Sequence, residues 1–450
     1  MGKSLNQAGL NWHWNWKKKV IAGLRRLSMN AIATNQTAWL QALRNHALTQ
    51  FAEQGFPSPR AEEWRYTNVS AIEKKRFLPV SATAAAVDVQ AFLAAYQLKD
   101  AWSLVLVDGY FSPELSLLAD LPESVTVSNL ANALESDGLQ NYLGQAVSDT
   151  EHGFVAFNTA HFTDGLFVHI AAKQVLSKPI QVLHIATQAD TLVSTRTVIV
   201  AETMAEAELI ETFVGVDNAY LTAAVTEVFV GDNAAITLTK VQYEAEKAYH
   251  FGGTYVKQAR SARFTHHNFA LGSLLARCDV HSDLDDAAEC ELNGLYLGVK
   301  RQHLDNHTRI NHNKPHGISR EFYKGVLDDR ARGVFQGRVV VAEDAQKTDS
   351  SMNNRNLLLS ADAEADTKPQ LEIYADDVKC SHGLTVGQLD EKSIFYLQSR
   401  AIDEETARNI LTFAFANEMV DKISHPELHS LILKLLLDRF PQQGIERNWL

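Results

Sequence analysis

From Thr37 onward the apolar residues fall on one helical face. Leu40, Leu43, Ala47, Leu48 and Phe51 recur at three- and four-residue steps, and Gly55, Pro57 and Pro59 end the run. Val87–Tyr96 predicts a second, short helix. Ser103–Val107 is an apolar strand closed by Asp108-Gly109, and Leu130–Leu143 returns to helical spacing. Residues 29–150 therefore read as a mostly helical domain with a little strand. From about residue 165 the texture changes to short β-rich runs, and helical periodicity is absent until Asp403.

Small residues precede these runs at a steady interval. Ala207, Ala235, Ala262, Ala288 and Gly317 are separated by 28, 27, 26 and 29 residues. A near-constant beat of this length, holding two to three strands per unit, points to a stacked solenoid. A parallel β-helix over 151–400, and a mainly β chain, is the expectation. A β-sandwich would place turn signals every ~8–12 residues, and chance spacing is the competing reading, because the units share little beyond their corners. One rung cannot bury both faces of its strands, so the stack depends on neighbours and needs capped ends. Helices on both sides are the expected caps.

The chain closes with two predicted helices, Asp403–Lys422 and Pro426–Phe440, within a helical domain over 401–450. Asp403 is a good N-cap, and Glu404 and Glu405 suit the first turn. Ile410, Leu411, Phe413, Phe415 and Met419 cover more than one stripe, so these helices cap the solenoid, dock a partner, or both.

Composition narrows the class. The formal charge of −12 argues against nucleic-acid binding. Three cysteines, Cys278, Cys290 and Cys380, are too few for a disulfide framework and suit a reducing, cytoplasmic setting. There is no run of about 18 apolar residues, hence no expected membrane span. Residues 1–28 form a basic extension with six Lys and Arg and no acid. The extension reads as an upstream start or a tail, with Met29 the expected true beginning and a membrane-surface anchor the alternative.

No P-loop, dinucleotide fingerprint or serine elbow occurs. That weighs against an autonomous enzyme and against nucleotide binding on this chain. Eight of the seventeen histidines lie between His250 and His316. His303 and His307 have a spacing that binds zinc on a helix, but their flanks read as strand and loop. Surface or solenoid-face imidazoles are the default there. Cys278 and Cys290 sit in β runs and are expected to be buried. Lys379-Cys380-Ser381-His382 differs: in an extended strand Cys380 and His382 leave the same face. A thiol and an imidazole make a soft half-site, too small to close around a metal but suited to completion by a second chain. Lys379 favours a thiolate at Cys380, whereas Asp376 and Asp377 oppose it.

This stretch also carries a resemblance. Lys368–His382, KPQLEIYADDVKCSH, followed by Gly383, Thr385, Val386 and Gly387, resembles the SufD branch of the SufB/SufD family of the SUF iron–sulfur cluster assembly machinery. Glu62-Glu63-Trp64-Arg65-Tyr66-Thr67 is similar to that family's N-terminal E-x-W-[KR]-Y-T segment. Supporting matches are Val105–Asp108 with Gly109, Asn158-Thr159-Ala160, Asp164-Gly165, Arg330-Ala331, Val334-Phe335 with Gly337, Lys347-Thr348-Asp349 and Asn353-Asn354. Together they cover about residues 35–440. SufB-type chains carry a cysteine shortly before an L-L-L strand; here Asn354 stands before Leu357-Leu358-Leu359.

The resemblance implies a right-handed parallel β-helix flanked by helical domains. It implies a SufBCD-type complex with a SufB-like paralogue and two copies of a SufC-like ATPase, which explains the missing P-loop. The ATPase would dock on the C-terminal helices, with Ile410, Phe413, Phe415 and Met419 as the candidate surface. It places a cluster-assembly role on His382, as a transient metal ligand shared with the partner, with Cys380 assisting. The implied function is a non-catalytic scaffold for a transient iron–sulfur cluster at the partner interface, with reduced flavin a further candidate on the complex. A homodimer is an expectation for the isolated chain. Two rivals come from other classes. One is a β-solenoid carbohydrate-active enzyme using Asp283, Asp285 and Asp286, or Asp328 and Asp329, as paired carboxylates. The other is a self-associating structural protein.

Overall fold

A computed structural model describes residues 37–75, 77–80, 87–133, 138–147 and 152–439. The basic extension over 1–28 and Met29 lie outside the described residues. The centre of the molecule is a β-solenoid of about eight turns. There are two ten-stranded sheets, and from Asp164–Ile170 onward successive strands alternate between them. In the second sheet Glu206 pairs with Ala235, Ala235 with Arg263, Arg263 with Glu289 and Glu289 with Ile318, all in parallel. The expected beat is therefore real, with steps of 29, 28, 26 and 29 residues.

The corners explain the beat. The buried residues immediately before these strands are Ala205, Ala234, Ala262 and Ala288, with Gly317 at the next turn. Ala207 and Ala235, expected as corners, instead lie inside strands Glu206–Gly215 and Ala235–Gln242. Each corner residue follows one with positive φ: Met204, Asn233, Ser261, Ala287 and His316, at 53–63°. The left-handed residue turns the chain between sheets, and only a small side chain fits inside the bend that follows. Side chains in register then stack inward to form a continuous core, with Leu209, Leu238, Leu292, Ile310, Phe335 and Met352 among its fully buried members.

The N-terminal region is built into the solenoid. Trp102–Val107 pairs in parallel with Ile180–Ala186, while Tyr110–Phe111 and Val125–Asn129 add antiparallel strands that close the first end. Helix Ala38–Gln54 buries Leu40, Ala47 and Phe51 as its spacing predicts. It also buries Arg44, whose guanidinium donates to the Phe162 carbonyl at 3.0 Å and stacks on the Phe162 ring. Within the span Leu130–Leu143 expected to be helical, the described residues hold a helical turn, Leu130–Ala133, and a 3-10 turn, Leu139–Asn141. Three α-helices were not anticipated, the first being the short Ser70–Lys75. Gly153–His161 packs against the first helix, and Glu391–Gln398 is capped by Asp390, whose carboxylate accepts from Lys392 and Ser393.

The C-terminal helices, Glu404–Val420 and Pro426–Arg439, do not cap the second end. They lie along the outer face of the second sheet, where Phe413, Met419, Leu428, Ile432 and Leu436 cover Phe269, Leu295, Leu297 and Val326. Asp403 is the N-cap, accepting from the Thr406 amide at 2.9 Å. Lys324, on strand Ile318–Leu327, inserts beneath the first of these helices; its ammonium donates to the Phe415 carbonyl at 2.8 Å and pairs with Glu418. Glu427 accepts the amides of Lys99 and Asp100, tying the last helix back to the first rung. None of the described helices is long and apolar enough to cross a membrane.

Candidate functional site

Because the helices fold along the side, the last rung is left uncovered. Its strands are Glu364–Ile373 in the first sheet and Lys379–Gly387 in the second. Each is the terminal strand of its sheet, paired on one edge only among the described residues. Unpaired edge amides and carbonyls are a template for another strand.

Lys379–Gly387 is extended and in register, Cys380 beside Ser350 and His382 beside Met352. Ser350 and Met352 point into the bore and are fully buried. Cys380 and His382 therefore belong to the inward-facing column, as does the pair that continues it, Leu384 and Val386. They are accessible because no rung stacks above them, not because they face outward. His382 is exposed, and Leu384 and Val386 are 47% and 44% exposed. Cys380 is half-buried and packs against the core. Burial, reinforced by Asp349, pushes its thiol above the ordinary value, although the Ser350 amide opposes this. The thiolate-favouring effect expected of Lys379 is thus outweighed: alternation sends Lys379 to the opposite face. Among the described residues no group of three or more His, Cys, Asp or Glu side chains is arranged to hold a metal ion. Cys380 and His382 remain two donors on an open edge.

Apolar surface surrounds this edge. Ile373 and Tyr374 on one strand end, and Phe395 and Tyr396 on helix Glu391–Gln398, are 41%, 64%, 71% and 57% exposed. The alternation Cys380, His382, Leu384, Val386 was legible in the sequence; the contribution of Phe395 and Tyr396 was not, because that helix was not expected.

The other candidate residues have structural settings. Phe413 and Met419 are buried against the solenoid, so their apolar surface is spent within the chain; Ile410 and Phe415 stay partly accessible. His250, His266, His267, His307 and His312 are buried rather than on the surface. Burial, aided by Lys240, lowers His266 to about 3, and burial lowers His312 to about 4. Cys278 and Cys290 are buried as expected, and burial raises Cys278 to about 11. The aspartates of the carbohydrate reading serve turns: Asp285 and Asp328 accept the amide of the next residue, and Asp329 accepts that of Lys300. Asn158 bridges the Thr195 and Ala223 carbonyls at 2.8 Å, beside the buried Arg196–Glu227 pair.

The chain matches two family descriptions, SUF system FeS cluster assembly, SufBD core domain, over residues 184–415, and SufBD protein N-terminal region, over residues 18–182. It is 35% identical over 382 residues to an iron–sulfur cluster assembly SufBD family protein of Synechocystis, covering 82% of this chain and 84% of that protein. It is 33% identical over 406 residues to iron–sulfur cluster assembly protein SufD of Escherichia coli, covering 88% and 92%. Identity to SufD of Bacillus subtilis is 26% over 409 residues, covering 86% and 91%. With both halves of the chain matched and the solenoid in place, this protein belongs to the SufBD family of the SUF iron–sulfur cluster assembly system.

Proposed function

We propose that this chain is a non-catalytic scaffold whose open last rung is completed by a SufB-like paralogue, with a nascent iron–sulfur cluster built at the seam. The observation that carries this reading is the strand Lys379–Gly387, whose outer edge is unpaired among the described residues, with His382 and Cys380 on its inward column. A partner's terminal strand adds main-chain hydrogen bonds along the edge, and the apolar column of Leu384 and Val386 sets its register. The cluster is cargo rather than a resident group. The neutral imidazole of His382 and the thiol of Cys380 supply two of the four ligands that an iron takes, and the partner supplies the rest. His382 is the principal ligand, and Cys380, whose thiol burial raises, assists.

A SufC-like ATPase docks on the outer surface of the C-terminal helices. Lys324 and the apolar seam beneath them carry its motion to the second sheet and so to the last rung. Ile410 and Phe415, not Phe413 and Met419, are the contacts available to it.

The test is anaerobic reconstitution with SufB- and SufC-like proteins, following cluster absorbance. His382→Ala should reduce cluster yield severalfold while the complex still forms. Undiminished yield would refute the ligand role. Assembly of a homodimer with no affinity for the paralogue would instead assign the edge to a second copy of this chain.

A further inference from the structure

The Glu62–Thr67 segment lies as a strap across the outer face of the first sheet, on the flank of the solenoid. Thr67 Oγ1 is 2.5 Å from Asp305 Oδ2, Lys368 reaches Glu62 at 2.5 Å, and Arg277 donates to the Glu63 carbonyl at 2.8 Å. The Arg277 guanidinium also sits 3.7 Å over the Trp64 ring. Beside the strap is a cavity of about 220 Å³ lined by Arg277, Arg309, Arg338, His152, His281 and His307, with Glu63 at its wall. Ligand pockets for larger molecules begin near ~300 Å³, so this space suits a small ion.

The wall is built for negative charge. Arg309 and Arg338 are directly opposite in register on adjacent strands, an arrangement that repels when nothing lies between them. Arg338 is held by Glu372 at 2.9 Å and lies 3.8 Å from the Glu63 carboxylate, yet its Nε is buried with no hydrogen-bond partner. Arg309 spends its Nε on Asn311 at 3.1 Å and has no carboxylate within ion-pair distance among the described residues. Arg277 is already satisfied by Asp279 and Asp305, which lie behind the wall. Those same carboxylates hold one nitrogen of each of two imidazoles: His152 Nε2 is 2.6 Å from Asp279 and His307 Nε2 is 2.9 Å from Asp305. His152 Nδ1 is buried with no partner. A cation would face three guanidiniums, whereas an oxyanion would meet two of them with donors to spare.

We propose that this cavity binds a small tetrahedral oxyanion, inorganic phosphate or the terminal phosphate of a phosphate ester, forked between Arg309 and Arg338. The anion relieves the repulsion between the two arginines and locks the strap to the solenoid. The site lies on the outer face of the first sheet, whereas His382 is on the inward column of the second, and it is independent of the role proposed for His382.

The full chain is purified without phosphate or sulfate and titrated with inorganic phosphate by calorimetry, in the low millimolar range where general salt exclusion is weak. Saturable binding is expected, together with a rise in the thermal midpoint. Arg309→Gln should weaken binding at least ~10-fold, the loss of one charge-assisted contact. In phosphate-free buffer the same variant should melt higher than the parent, because the repulsion is gone. Arg338→Gln should also weaken binding but melt lower, since Glu372 loses its partner. No saturable binding below about 10 mM, or full affinity in Arg309→Gln, overturns the proposal. A lowered melting point of Arg309→Gln without phosphate also overturns it, since that marks a purely structural arginine. Displacement of phosphate by ADP would assign a phosphate ester as the ligand, and its failure would assign the free ion.

Discussion

Placing one charge on the open rung should abolish docking while leaving the isolated chain intact. Leu384 is 47% exposed on the terminal strand, and its neighbour in the next rung, Asn354, is buried beneath it. In the free chain Leu384→Asp gives up the half of the leucine that is already covered, so the cost to folding should be about 1 kcal/mol. In the docked state the side chain goes under a further rung. Fully burying a leucine contributes about 1.5–3 kcal/mol, and roughly half of that surface is already covered, so about 1 kcal/mol is lost with the side chain. The carboxylate matters more, because it must be desolvated under the added rung, over Asn354, at a cost of several kcal/mol unless it is paired. Together the two effects exceed about 3 kcal/mol, or a hundredfold in Kd. The assay is calorimetric titration against the SufB-like partner, with the thermal midpoint of the free variant measured alongside. An affinity within threefold of the parent would refute edge-to-edge docking. A sharp fall in midpoint would refute the premise that this rung is open in the free chain.

Lys324→Ala should loosen the C-terminal helices by about 3 kcal/mol, losing the bond to the Phe415 carbonyl and the ring contact with Phe415; Lys324→Met keeps the stem packing and should cost about 1 kcal/mol, read as hydrogen exchange of Glu404–Val420. Burial depresses His184 and His266 to about 3 and His267 and His312 to about 4, so all four are neutral in the fold while the unfolded chain takes up protons near pH 6.5. Their contribution is complete above that value and is lost as the pH falls toward 4. Glu321, raised by burial to about 7, acts in the opposite sense between its unfolded value and 7. For these five groups alone the net is a loss of about 4 kcal/mol per pH unit, and a urea midpoint unchanged between pH 7 and 5 would refute it. Cys380 should alkylate at pH 8 more slowly than a free cysteine, because burial raises its thiol, and Cys278 and Cys290 should react only after unfolding; rapid labelling of Cys380, read by mass spectrometry, would contradict the half-buried thiol.

The site was half legible. The alternation of Cys380, His382, Leu384 and Val386 follows from strand geometry, and register places all four on one column. Nothing in that alternation tells an inward column from an outward one. The Glu62–Thr67 segment was visible as a motif, but its contacts with Arg277, Asp305 and Lys368 lie more than 200 residues away in sequence. Helix Glu391–Gln398 escaped notice because it is short and its Phe395 and Tyr396 face solvent, which blurs the amphipathic signal.

What the sequence determined by itself is repetitive and local. Small residues at Ala262, Ala288 and Gly317 mark corners because a bend of that tightness admits nothing larger, and Asp403 starts a helix because its carboxylate can reach the Thr406 amide. Tertiary structure decided which way the ends go. Whether the last helices cover the terminal rung or lie along its side depends on where Phe413, Met419 and Leu428 find apolar partners, and those partners, Phe269, Leu295 and Val326, belong to strands in the middle of the stack. An apolar stripe specifies that a surface will be buried but not which distant surface buries it. That choice leaves His382 at an open edge rather than beneath a cap.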